Sequence, residues 1–170
     1  RVAAGIVALA KKEAKTDKPI VVGYDRRFLS QGAAKWVAEV IAGSGIDVWF
    51  MPRSTPTPLV MHIVKDSELY YGIEITASHN PAKYNGYKCY DSKGYQMTDE
   101  AAAKTYEYMK KVDMFTGVKR MDFEDALAED MIDFIEDWVK DEFIENVLAQ
   151  SVNKDAVKKS NVKLLHEQLN

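Results

Sequence analysis

Ile20-Val21-Val22-Gly23-Tyr24, followed by Asp25-Arg26-Arg27, is the stretch on which the fold turns. Five residues with no charge among them, bounded by Pro19 on one side and a charged triplet on the other, read as a strand buried on both faces. Downstream, Ser30 is placed as the N-cap of a helix over 31–42, because Ala34, Val37, Ala38 and Ile41 recur at helical spacing and Gly43-Ser44-Gly45 ends the pattern. A second strand over 47–51 follows at once. Strand, helix and strand in so short a span imply a parallel pair joined by a helical crossover. Upstream, residues 2–12 form a helix with Val2, Ile6, Leu9 and Ala10 on one face. Since the chain starts at Arg1 with that helix already under way, a preceding segment is expected.

Farther along, Thr55-Pro56-Thr57-Pro58 opens a third helix through Leu59, Val60, Ile63 and Val64, proline being tolerated in a first helical turn. A third strand is expected over 69–76. A polar loop then leads through the turn dipeptide Asn85-Gly86 into a strand at 87–90, so that the two strands make a hairpin. Thr98-Asp99-Glu100 starts a helix to about Lys111, with an acidic first turn suited to the helix dipole. Residues 113–121 read as a connector. Between 122 and 150, Phe123, Leu127, Met131, Phe134, Ile135, Trp138, Val139, Ile144, Val147 and Leu148 predict one long or slightly broken amphipathic helix, its carboxylates a solvated face. The expected architecture is α/β, a three-layer sandwich with a mixed sheet of about four strands between helices. Residues 1–150 form the domain, and 151–170 a linker or the start of the next domain, with 161–165 as an opening strand.

Composition narrows the function classes. The 170 residues are 46% hydrophobic and 29% charged with a formal net charge of −3, the balance of a globular protein without a basic face for nucleic acid. No stretch reaches the roughly 20 apolar residues of a membrane span. The single cysteine, Cys89, cannot close an internal disulfide and reads as core, and cytoplasmic localisation is the expectation. His62 and His166 have no metal-ligand spacing, and there is no Cys-x-x-Cys, zinc-protease helix, phosphate-binding glycine loop or dinucleotide fingerprint.

The chemistry gathers in Thr76-Ala77-Ser78-His79-Asn80-Pro81-Ala82-Lys83-Tyr84-Asn85-Gly86-Tyr87-Lys88, which crowds small, polar and basic residues between two apolar runs. Ser78 offers a hydroxyl on a turn, His79 exchanges protons near neutrality, and Lys88 returns a cation on the next strand, a set suited to transferring an anionic group. Each residue also has a plainer reading. Ser78-His79 and Asn80-Pro81 are common turn chemistry, and a lysine alternating along a strand can simply face water.

This segment resembles the active-site serine loop of the α-D-phosphohexomutase superfamily, the phosphoglucomutases and phosphomannomutases. Gly23-Tyr24-Asp25-Arg26-Arg27 with Ser30, and Thr55-Pro56-Thr57-Pro58, resemble further family segments in the same order. The likeness runs over about residues 1–150 and implies the family's first domain. It implies that Ser78 carries a phosphoryl group to and from a sugar phosphate through a bound bisphosphate, moving phosphate between C1 and C6, or C5 of a pentose. It implies that Lys88 helps proton transfer at the sugar hydroxyl, that His79 assists, that Asn80 and Asn85 shape the loop, and that Arg27 supports the site. The expected cofactors are Mg²⁺, bound partly through the Ser78 phosphate with other ligands outside this chain, and a glucose 1,6-bisphosphate-type activator. The expected partners are a sugar phosphate and the remaining domains of the same polypeptide, without which the chain is expected to be inactive; no nucleic acid or membrane partner is expected. The wording of residues 84–90 leans toward the phosphoglucomutase and phosphopentomutase branch. A non-catalytic relative that binds sugar phosphate or a partner is the alternative. A serine hydrolase with His79 as base is the weaker one, since no orienting carboxylate is evident.

Overall fold

A computed structural model describes residues 1–113, 115–153 and 155–167. The connector at 113–121 and the tail at 151–170 therefore lie partly outside the described residues. The chain divides into two compact units, Arg1–Glu136 and Asp137–Asn170.

The first unit is built on five strands: β1 (Ile20–Tyr24), β2 (Val48–Phe50), β3 (Tyr71–Ile75), β4 (Tyr87–Asp91) and β5 (Ile132–Phe134). They pair in the order β4-β3-β1-β2-β5. β1 lies parallel to β2 and β3, and β2 parallel to β5, while β4 runs antiparallel to β3 as the hairpin reading requires. The sheet is thus mixed, as expected, with five strands where the sequence suggested about four.

The helices of this unit are α1 (Val2–Lys12), α2 (Ser30–Ala42), α3 (Thr57–Asp66), α4 (Asp99–Lys111) and α5 (Phe123–Ala128). One face of the sheet carries Val22, Tyr24, Ile73 and Ile75, which join Ile6, Leu9, Ala34, Ala38 and Ile41 of α1 and α2 in the main core. Each such aliphatic side chain, fully buried, contributes roughly 1.5–3 kcal/mol. α4 lies against α1, where Gly5 leaves room for Met109. α3 covers the opposite face through Leu59, Val60, Ile63 and Val64. Its close approach depends on Gly72, where a Cβ would fall 2.4 Å from Val64.

Two local expectations change. Leu29, with φ 63°, takes the N-cap position of α2 and makes no side-chain cap. Ser30 is instead the first residue of the helix, and its hydroxyl is spent on Asp25. The long or slightly broken helix expected over 122–150 is two helices with a strand between them. α5 ends at Ala128, Asp130 turns at φ 54°, and Ile132–Phe134 leave helical geometry to pair with Val48, Trp49 and Phe50. The open edge of β2 outbids helical continuation, because a pairing edge satisfies a whole row of backbone groups. Phe50 and Phe123 stack edge to face at 5.1 Å behind this junction.

The second unit holds α6 (Trp138–Ala149) and α7 (Ala156–Lys159). Residues 161–165, expected as a strand, have no regular secondary structure.

Candidate active site

Sites in open α/β sheets form beyond the carboxyl ends of parallel strands. Here the segments after β1 and β3 meet at that edge, and Asp25 joins them. Its Oδ1 accepts from the Arg27 backbone N–H at 2.9 Å and the Ser30 hydroxyl at 2.7 Å, and its Oδ2 from the Thr76 hydroxyl at 2.7 Å and Arg27 Nε at 3.1 Å. Burial pushes this carboxyl up, but the bonds from Ser30, Thr76 and the Arg27 backbone, with the guanidinium charge, outweigh it and hold it below its ordinary value. Asp25 therefore stays ionised as a structural anion.

Arg27, oriented by that anion, clamps the serine loop. Its Nη1 donates to the carbonyls of Pro81 at 3.0 Å and Tyr84 at 3.1 Å, and its Nη2 to those of Ser78 and Asn80, both at 2.7 Å. Four loop carbonyls on one planar, charged fork leave the loop little freedom, and a lysine lacks the geometry to replace it. The loop is closed from below by Asn85, whose Nδ2 donates to the Phe28 carbonyl and to Ser30 Oγ, and whose Oδ1 accepts from Gly86 N–H. Gly86 is required there, since a Cβ would fall 2.6 Å from the Thr76 carbonyl oxygen.

On this base Ser78 stands exposed at φ 58°, a left-handed conformation costly for a residue with a Cβ. Its N–H is held by Thr76 Oγ1 at 2.9 Å. The strain turns the hydroxyl outward on a fixed backbone. His79 is exposed beside it, Nδ1 3.4 Å from Ser78 Oγ. Lys88, half-buried, lies one step into β4 at the same end of the sheet, opposite Glu74. Cys89 points to the other face, where it packs against the main core and burial pushes its thiol up to about 12.

The structure thus brings Ser78, His79, Asn80, Asn85 and Arg27 into one loop assembly, with Lys88 on the strand that follows. Asn80 enters through its carbonyl. Sequence reasoning placed Asp25 and Thr76 in the right segments but missed that they tie the two loops together. It missed Glu74 altogether; a lone carboxylate inside the apolar run Tyr71 to Ile75 was the available signal.

Residues 1–115 match the family model for phosphoglucomutase/phosphomannomutase, alpha/beta/alpha domain I. A phosphoglucomutase of Staphylococcus saprophyticus is 31% identical over 131 residues, covering 77% of this chain and 24% of that protein. One from Komagataeibacter xylinus is 32% identical over 173 residues, covering 93% of this chain and 30% of its own length. Among solved structures, a phosphoglucomutase/phosphomannomutase family protein of Burkholderia thailandensis superposes with a TM-score of 0.60 at 19% identity, over 88% of this chain and 31% of that one, a likeness of fold. The chain spans less than a third of the length of these relatives. The family model spans more than half of the chain, and the chain belongs to the phosphoglucomutase/phosphomannomutase family.

Proposed function

We propose that this chain is the serine-bearing domain of a longer phosphosugar mutase, and that Ser78 carries the phosphoryl group. The observation that carries the reading is the Arg27 clamp, which fixes four carbonyls around an exposed, strained serine. Phosphoryl transfer asks a protein mainly for positioning and for cations that absorb charge. In the forward half-reaction the bond from Ser78 Oγ to phosphorus breaks as a sugar hydroxyl oxygen bonds to that phosphorus. The hydroxyl proton passes to the Lys88 amine, which takes it in its uncharged form and becomes the ammonium, and Ser78 Oγ regains a proton from the His79 imidazolium. The bisphosphate turns around, and its other phosphoryl returns to Ser78, so no phosphate is released.

Mg²⁺ fits this site only in part. Its preferred oxygen ligands are represented here by Ser78 and the phosphate it would carry, since both Asp25 oxygens already accept hydrogen bonds and Glu74 is buried under the sheet. The remaining ligands belong to other parts of the longer protein. When bound, the ion neutralises charge building on the phosphoryl oxygens. The substrate is a sugar phosphate and the activator a glucose 1,6-bisphosphate-type compound, and the 170-residue chain alone is expected to show no turnover. A hydrolase is disfavoured, because no carboxylate hydrogen-bonds to His79 among the described residues. Among the described residues no helix is long and apolar enough to cross a membrane.

Peptide mass spectrometry tests the reading on the full-length protein after incubation with glucose 1,6-bisphosphate and Mg²⁺. Phosphate on Ser78, absent from Ser78→Ala together with mutase turnover, is the expected result. An unmodified Ser78 in a folded protein that still binds sugar phosphate would favour the non-catalytic binding relative.

A further inference from the structure

The proposed chemistry leaves one buried group unused. Glu74, the fourth of the five residues of β3, is 0% exposed, and neither of its carboxylate oxygens has a hydrogen-bond partner among the described residues. Burying a carboxyl without donors costs several kcal/mol if it is charged, so the group must be neutral, or its charge must be answered from nearby. The backbone makes room for it: its register partner on β1 is Gly23, where a Cβ would fall 2.2 Å from Glu74 Oε2. On its other side the register partner is Lys88 of β4. Directly opposed residues of an antiparallel pair rise on the same face as close neighbours. Glu74 and Lys88 are therefore companions on the α3 face, at the end of the sheet that carries the serine loop.

We propose that Glu74 is a positioning residue for Lys88, its buried carboxyl setting the place and charge of that ammonium. This rests on Lys88 being the proton carrier of the proposed function. The electrostatics agree with the geometry. Burial pushes Glu74 up to about 8, Asp25 adds to the rise, and Lys88 opposes it. Tyr90, next along the same face of β4, is itself raised to about 12 by burial and then by Glu74. α3 meets this space through Val60, and it carries His62, Lys65 and Asp66 as its titratable side chains. Glu74 thus holds its proton near neutrality and gives it up within a modest rise in pH. Ionised, it draws the Lys88 ammonium inward; neutral, it releases it.

The test uses the full-length protein with Glu74→Gln, which keeps the shape and abolishes the titration. Near neutrality, where Glu74 carries its proton and glutamine mimics it, turnover should match the wild type; above about pH 8 we expect kcat of the variant to fall about tenfold below wild type, well short of the loss when proton transfer itself is removed, with KM unchanged. The break in the pH profile near about 8 should disappear. NMR of selectively labelled lysine should show Lys88 giving up its proton at lower pH than in the wild type. Glu74→Asp, which retains a carboxyl on a shorter stem, should recover part of the break. Superimposable pH profiles and an unmoved Lys88 titration would overturn the inference. Should Glu74→Gln fail to fold, Lys88→Met reads the pair from the other side: the Glu74 carboxyl must move further up once the opposing ammonium is gone, and a carboxyl that stays put overturns it. Ser78→Ala keeps the two ideas apart, since wild-type turnover in that variant sinks the phosphoserine reading while the Lys88 titration still decides the role of Glu74.

Discussion

Asp25, just past the end of β1, and Glu74, on the adjacent strand β3, lie toward the same end of the sheet, and the protein treats the two carboxyls in opposite ways. Burial pushes both up. Asp25 also collects donors from Ser30, Thr76 and Arg27, and these hold it ionised. Glu74 collects none and is raised to about 8. Position in the sheet does not decide the charge of a carboxylate; the donors that reach it do. The ionised one organises the two loops of the site, and the neutral one remains free to respond to the lysine opposite.

Stability against pH should expose this contrast with the largest effect. Because its folded-state value is raised, the stability owed to Glu74 is whole below its ordinary 4.5 and is lost as pH rises toward about 8. The loss is on the order of 5 kcal/mol over that window. Asp25 has a lowered value, so its contribution is present above its ordinary 3.8 and is lost as pH falls through that region. Urea denaturation from about pH 5 to about pH 9 should show the wild type losing ground against Glu74→Gln. Parallel curves would mean that Glu74 ionises like an exposed carboxylate.

Asp25→Ala should come next. It strips the acceptor of four hydrogen bonds from Ser30, Thr76 and Arg27, a cost of about 4 kcal/mol at roughly 1 kcal/mol per bond. Hydrogen exchange of the amides between 76 and 86 should quicken in step. Protection equal to wild type would show that Arg27 holds the loop without its anion.

Gly23→Ala should be the smallest, about 1–3 kcal/mol by overpacking. Adding Glu74→Ala, which removes the atom 2.2 Å from the new methyl, should recover part of that loss. Simple additivity in the double variant would show that glycine and carboxyl do not share the space.

Much of this architecture is legible along the chain. Ile20–Tyr24 reads as a doubly buried strand because nothing polar interrupts it, and the structure buries all five residues. Thr98-Asp99-Glu100 reads as the start of a helix, and Thr98 accepts from the Ala101 N–H at the start of α4. The serine loop declares itself by a density of small and polar residues that neither flanking strand could hold. The segment after 122 misleads for a physical reason: a strand of three residues has no period of its own, so its apolar residues fit the helical spacing of their neighbours.

By itself, then, the sequence determined the strands and helices of the first 111 residues, the mixed sheet, the serine loop and the family. These rest on periodicity, turn chemistry and motif, which act over a few neighbouring residues. Only the tertiary structure decided that Arg27 reaches across 51 positions to the Ser78 carbonyl, that β5 takes the open edge of β2, and that Glu74 lies between Gly23 and Lys88. Each depends on the register of strands far apart in the chain, and register is fixed by packing the whole sheet at once.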